Sequence, residues 1–171
     1  MEVRKLSADD AAEFKILRLR ALREHPEAFG ASDEEEGEFS LETVASRLEQ
    51  NQPDQTYFAA FIEGTMVGTG RFSRVAGIKR RHRAMISAIY ALPEVRGQGV
   101  ARAITTHILE FARTQAGVED LHLSVTSGNR SARTLYRNLG FVTWGVCPRY
   151  IYHQGQYYDI EWMVLHLRQS G

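Results

Sequence analysis

A single cysteine, Cys147, stands among 171 residues. It has no partner for an intrachain disulfide, and such usage fits a reducing compartment. Cys147 itself reads as a small packing residue in a strand. Excess charge is missing too: 21 Lys and Arg balance 21 Asp and Glu. A net charge of zero removes the whole-molecule field that gathers nucleic acid. No apolar run approaches the roughly 18 residues of a membrane span, and residues 1–5 lack a signal-peptide core. The expected setting is cytoplasmic, with neither membrane nor nucleic acid as partner. Six histidines show no His-x-x-x-His spacing, so no metal site is expected. Repeats, linkers and low-complexity tracts are absent as well. What remains is 43% hydrophobic and 25% charged, an ordinary globular composition, and residues 1–171 are expected to form one domain around one core.

Periodicity gives the elements. Residues 3–6 read as a first strand, with Ser7 as an N-cap ahead of Asp9 and Asp10. Ala11, Phe14, Leu17 and Ala21 set a helical stripe that His25-Pro26 ends. Residues 26–39, with the acidic run 33–36, read as a loop, and a second helix follows Ser40. Strands are expected over 56–62, 66–75 and 84–92, and a helix over 100–113 from Val100, Ile104, Ile108 and Phe111. Leu121, Leu123 and Val125 alternate as a strand, so strand, helix and strand form a right-handed parallel crossover. Ala132, Leu135, Tyr136 and Leu139 mark a short helix with Gly140 at its C′ position. Residues 141–152 and 156–167 form a closing hairpin around Gln154-Gly155. The fold class is α/β (α+β), with a mixed, mostly antiparallel sheet flanked by helices.

Between the long apolar strand and the amphipathic helix lies Arg96-Gly97-Gln98-Gly99-Val100-Ala101. The first N–H groups of a helix have no intrahelical partner and carry partial positive charge. Glycines let backbone approach a phosphate, and Arg96 adds a charged fork. The stretch is a candidate pyrophosphate cradle. It lacks the Lys-Ser/Thr of a P-loop and the third glycine of a dinucleotide fold.

At fixed distances follow Asn129, Ala132, Leu135-Tyr136 and Gly140-Phe141. Arg-x-x-Gly-x-Ala with Asn-x-x-Ala-x-x-Leu-Tyr-x-x-x-Gly-Phe resembles the GNAT superfamily of acyl-CoA-dependent N-acetyltransferases, most strongly over residues 89–141. The resemblance implies acetyl-CoA as acyl donor and a pantetheine arm held by backbone groups of Ile89, Tyr90 and Ala91. A free Ala91 N–H would be an oxyanion donor. The resemblance also implies that Asn129 touches the cofactor arm and that Tyr136 lies beside the sulfur. A phenol is protonated at neutral pH, which makes Tyr136 the candidate general acid. On spacing alone, Tyr136 also fits a core stripe and Asn129 an N-cap.

The general base stays open. Residues 84–91 hold no carboxylate and no histidine, which leaves water, Tyr90 or an acid from the 26–39 loop. By resemblance that loop covers the acceptor site, so Glu34, Glu35 and Glu36 are candidates to attract a cationic amine. Tyr150, among the aromatics of the last hairpin, is a candidate substrate contact. With no evident acyl carrier, direct transfer in a ternary complex to a primary amine of a small molecule is expected. A protein N-terminus or lysine as acceptor, a CoA-binding sensor without turnover, and a homodimer all stay open.

Overall fold

In the computed structural model, residues 1–50 and 52–167 are described. Seven strands form one sheet in the order β1-β2-β3-β4-β5-β7-β6. They are β1 Glu2–Lys5, β2 Gln55–Ile62, β3 Thr65–Arg74, β4 Arg83–Ala91, β5 Asp120–Thr126, β6 Val142–His153 and β7 Gln156–His166. All neighbours are antiparallel except β4 and β5. Five α-helices cover the sheet: α1 Ala11–Glu24, α2 Asp33–Gly37, α3 Leu41–Glu49, α4 Val100–Thr114 and α5 Arg130–Asn138.

Two apolar cores flank the sheet. On one face, α4 sets Val100, Ile104, Ile108 and Ala112 against Phe58, Phe72, Ile86 and Leu121. Each such aliphatic side chain, fully buried, contributes about 1.5–3 kcal/mol. Close packing here depends on Gly68 and Gly70 of β3. A Cβ on Gly68 would stand 2.7 Å from the Tyr90 carbonyl oxygen and 2.9 Å from Val100. On the other face, α1 and α3 bury Phe14, Leu17, Ala21, Val44 and Leu48 against Tyr57, Ala59 and Tyr90.

The acidic run 33–36 is helical rather than loop. Ser32 Oγ accepts from Glu35 N at 3.1 Å, and the Glu35 carboxylate accepts from Ser32 N at 3.2 Å. This reciprocal cap, with four acids in the first turn, nucleates α2. The expected cap at Ser7 opens a 3-10 turn, Ala8–Asp10, before α1 starts. The last hairpin turns at Gln154 and Gly155, whose φ values of 46° and 79° give the left-handed pair of a tight hairpin.

Candidate functional site

The site begins with a defect in β4. Tyr90 pairs with Thr69 and Ser87 with Arg71, so Ala88 and Ile89 stand opposite Gly70 alone. One extra residue makes a bulge, and Ala88 takes φ 56° to accommodate it. A bulge bends its strand and sharpens its twist. Pairing between β4 and β5 stops just before it, after Arg83–Asp120, Ala84–Leu121 and Met85–His122. Beyond Met85 the two strands splay.

The splay opens into a cleft of about 1270 Å³ that passes through the sheet. Its β4 wall runs from Ile86 to Ala91, its β5 wall from Leu123 to Thr126. Leu92 N donates to Val67 O, and antiparallel pairs alternate. The Ala91–Gly68 pair is therefore the one without ladder bonds, and the Ala91 N–H faces the side that β5 has vacated.

One mouth of the cleft is the start of α4. Gly97 and Gly99 take φ 79° and 77°, and nothing stands within 4 Å of where a Cβ would sit on either. The first bond of the α4 ladder is Ala103 N to Gly99 O. The N–H groups of Val100, Ala101 and Arg102 precede it and have no intrahelical acceptor. Arg96, Gly97, Gly99, Val100, Ala101 and Arg102 all line the cleft. Gln98 does not; its N–H donates to Val95 O. Three unpaired donors, Cβ-free open space and two arginines fit a pyrophosphate. The unpaired β4 edge fits an amide-bearing arm leading away from it.

The opposite wall is α5. Asn129 Oδ1 accepts from Ala132 N at 3.0 Å, so its N-cap role holds, and it also lines the cleft. Tyr136 lines the cleft while only 6% exposed, with its ring edge-on to Phe141. Burial pushes its phenol up to about 12, so it stays protonated at neutral pH.

Tyr90 is not available as a base. Its hydroxyl donates to Glu24 Oε2 at 2.6 Å. Burial and that carboxylate raise its pKa well above the phenol range. Glu34 and Glu35 do not reach the cleft: Glu34 is exposed and Glu35 caps α2. Glu36 does line it, but Arg18 holds it with two bonds of 2.9 and 3.0 Å. Tyr150 is exposed on β6, edge-on to Trp162 and off the cleft lining. From that hairpin it is Tyr158 that lines the cleft. The basic residues Lys79, Arg80 and Arg81 between β3 and β4 do not line the cleft, and Arg81 lies 3.7 Å from Asp54.

A pair absent from the sequence reading sits in the cleft instead. The turn after α1 brings His25 Nδ1 to 3.4 Å from Glu27 Oε1. His25 Nε2 lies 3.2 Å from Arg96 Nη2, and Thr126 Oγ1 donates to Glu27 O at 2.8 Å. The segment thereby straps the start of α4 to β5 across the splay. The available signal was Pro26, which ends α1 and opens the tight turn Pro26–Ala28 with His25 at its start. Within the described residues no group of acids, histidines and cysteine is placed to hold a metal ion.

A family model described as "Acetyltransferase (GNAT) family" matches residues 17–141, most of the chain. The chain belongs to the GNAT acetyltransferase family. It is 28% identical over 148 residues to a mycothiol acetyltransferase of Salinispora tropica, covering 84% of this chain and 44% of that protein. It is 33% identical over 107 residues to the N-alpha-acetyltransferase RimI of Mycobacterium tuberculosis, covering 63% and 65% respectively. The chain spans about half the length of the curated relatives it matches. Among solved structures, a GNAT acetyltransferase of Streptococcus pneumoniae superposes with TM-score 0.89 at 21% identity, covering 97% and 99% of the two chains. YncA of Salmonella typhimurium, solved with acetyl-CoA, superposes with TM-score 0.84 at 19% identity, covering 98% and 94%. Both share the fold.

Proposed function

We propose that the chain transfers an acetyl group from acetyl-CoA to a primary amine of a small molecule, directly within a ternary complex. The observation that carries this is the splay of β4 from β5, which opens at one end onto the uncapped start of α4 and continues to the sheet face that α1 and α3 cover, the cleft's second chamber. Of the turn from Arg96 to Ala101, every residue but Gln98 faces the cleft, and these receive the phosphates. Ile89, Tyr90 and Ala91 present backbone to the pantetheine arm, with Asn129 across from them, and the Ala91 N–H faces the thioester oxygen. Bound acetyl-CoA supplies an activated acyl carbon; the remaining work belongs to the protein.

Tyr136 donates a hydrogen bond to the departing sulfur. A phenol near 12 sits above an ordinary thiol near 8.5, so its part is to stabilise the thiolate while keeping most of its own proton. Removal of the ammonium proton falls to the His25–Glu27 pair. Of the cleft's other titratable groups, Glu36 is bound to Arg18 and Tyr90 is held protonated. The small-molecule reading draws on the roof formed by residues 28–31, Glu36 and Phe39 over the second chamber. It also draws on the mycothiol acetyltransferase among the relatives. Acetylation of a protein N-terminus is the second reading, favoured by the similarity to RimI.

Steady-state kinetics over an amine panel test the proposal. Intersecting initial-velocity lines are expected. Tyr136→Phe should lower kcat about 10–100-fold with acetyl-CoA affinity nearly unchanged, and Glu27→Gln should lower kcat on a comparable scale. Parallel lines, or full turnover in both variants, would remove this mechanism.

A further inference from the structure

The second chamber carries an uncompensated positive charge, and Arg71 is its focus. Arg71 lies on β3 between Tyr57 of β2 and Ser87 of β4, its register partners on either side. All three line the cleft on the face that α1 and α3 cover. Arg71 Nε donates to Ser87 Oγ at 3.0 Å, and the guanidinium stands 5.8 Å from the Tyr57 ring centroid. That leaves its two terminal amino groups. Among the described residues no carboxylate stands within ion-pair distance of them. Most other half-buried arginines differ: Arg4 has Asp10, Arg18 has Glu36, Arg74 has Asp54 and Arg133 has Glu161, while Arg83 gives its guanidinium to the His122 ring on another part of the sheet.

Of the chamber's own carboxylates, Glu36 is paired with Arg18, and Glu27 sits beside His25, away from Arg71's ion-pair reach. Its other cations add to the surplus. Lys15 donates to the carbonyls of Gly37 and Phe39, and Arg47 lies 3.8 Å over the Phe39 ring. Neither has a carboxylate partner among the described residues. A half-buried guanidinium with free parallel donors, in a cleft with a cationic surplus, is built to take a planar oxyanion in bidentate fashion.

Position gives the rest. Ser87 immediately precedes the bulged Ala88, where β4 turns away from β5. An acceptor whose carboxylate rests on Arg71 and Ser87 therefore holds its nearby atoms at the bend of the strand that, in the proposed function, carries the acyl arm. In an α-amino acid the amine is two bonds from the carboxyl carbon, about 2.5 Å, less than one residue step along a strand. We infer that the acceptor is a zwitterion of the α-amino acid class, its carboxylate held by Arg71 with Ser87 and its amine turned toward the splay.

This inference rests on the proposed acetyl transfer, and the test separates the two. Acetyl-CoA binding is measured first by calorimetry. Rates are then measured for matched triplets: each free amino acid, its amide, and the amine left by removing its carboxyl group. Free amino acids should exceed both counterparts in kcat/KM by at least tenfold for the preferred side chain. Arg71→Met should erase that ratio by raising KM for the amino acid, and Arg71→Lys should restore part of it. Near-unchanged melting and unchanged acetyl-CoA affinity show that these variants remain folded. Equal or better rates with amides and decarboxylated amines, or an unchanged ratio in Arg71→Met, overturn the inference while acetyl transfer stands. Binding without transfer to any amine, or no binding, removes the transfer reading and this inference with it.

Discussion

Glu161 shows how a charge is kept inside this sheet. Its side chain is 7% exposed on β7, with Arg133 and Arg137 of α5 and the Thr143 hydroxyl on its oxygens. Burial alone would raise its pKa, but the hydrogen bonds from Arg133 and Thr143 and the nearby positive charges outweigh it and hold the carboxyl below its ordinary 4.5. A depressed folded pKa contributes stability that is fully present above the unfolded value and is lost as pH falls through the folded one. Arg133→Ala leaves the carboxylate with weaker partners and should cost about 3 kcal/mol at pH 7. The gap between variant and parent should narrow as pH falls below 4.5 toward the depressed folded value, because a protonated Glu161 no longer needs a cation. Urea melts at pH 7 and pH 3.5 check this; a gap that stays constant contradicts it. No single-residue pattern announced this network. Glu161 and Arg133 come together only through the pairing of β5 with β7 and the docking of α5. Asn129 and Tyr136, by contrast, were legible because their spacing fits both a local cap and a buried stripe.

At the scale of elements, the joint between α4 and β3 controls the site. Ile104 and Val100 descend onto Gly68, and the Tyr90 carbonyl lies on the same spot. Gly68→Ala sets a methyl against backbone that forms the β4 wall of the cleft. We expect a loss of about 1–3 kcal/mol in urea denaturation. Weaker acetyl-CoA binding should accompany it, because the wall must shift. Unchanged stability and affinity would mean that β4 does not depend on this contact. The amphipathic faces of α1, α3 and α4 and the alternation of the last hairpin were legible because burial imposes their periods. The helix over 33–37 was missed because four consecutive acids obscured the Ser-x-x-Glu cap. The bulge at Ala88 was not legible at all. An alanine at positive φ carries none of the glycine or asparagine marking that such a conformation usually leaves.

Across the whole molecule, charge balance and charge placement separate. The chain is neutral overall, yet its second chamber gathers Lys15, Arg18, Arg47 and Arg71 against Glu27 and Glu36. The expected acidic attraction for a cationic amine is thereby replaced by a cationic surplus. These residues lie far apart in sequence and meet only through strand register and helix docking, which composition cannot reveal. The glycine turn was readable because a helix start does its binding with local backbone.

Calorimetric titration of the purified protein with acetyl-CoA, beside CoA and ATP, tests the central claim most directly. The account predicts one site that binds acetyl-CoA and CoA, ignores ATP, and loses at least tenfold in affinity when Gly99→Val fills the open space above the turn. Failure to bind either CoA species, or binding that ATP matches, would contradict it.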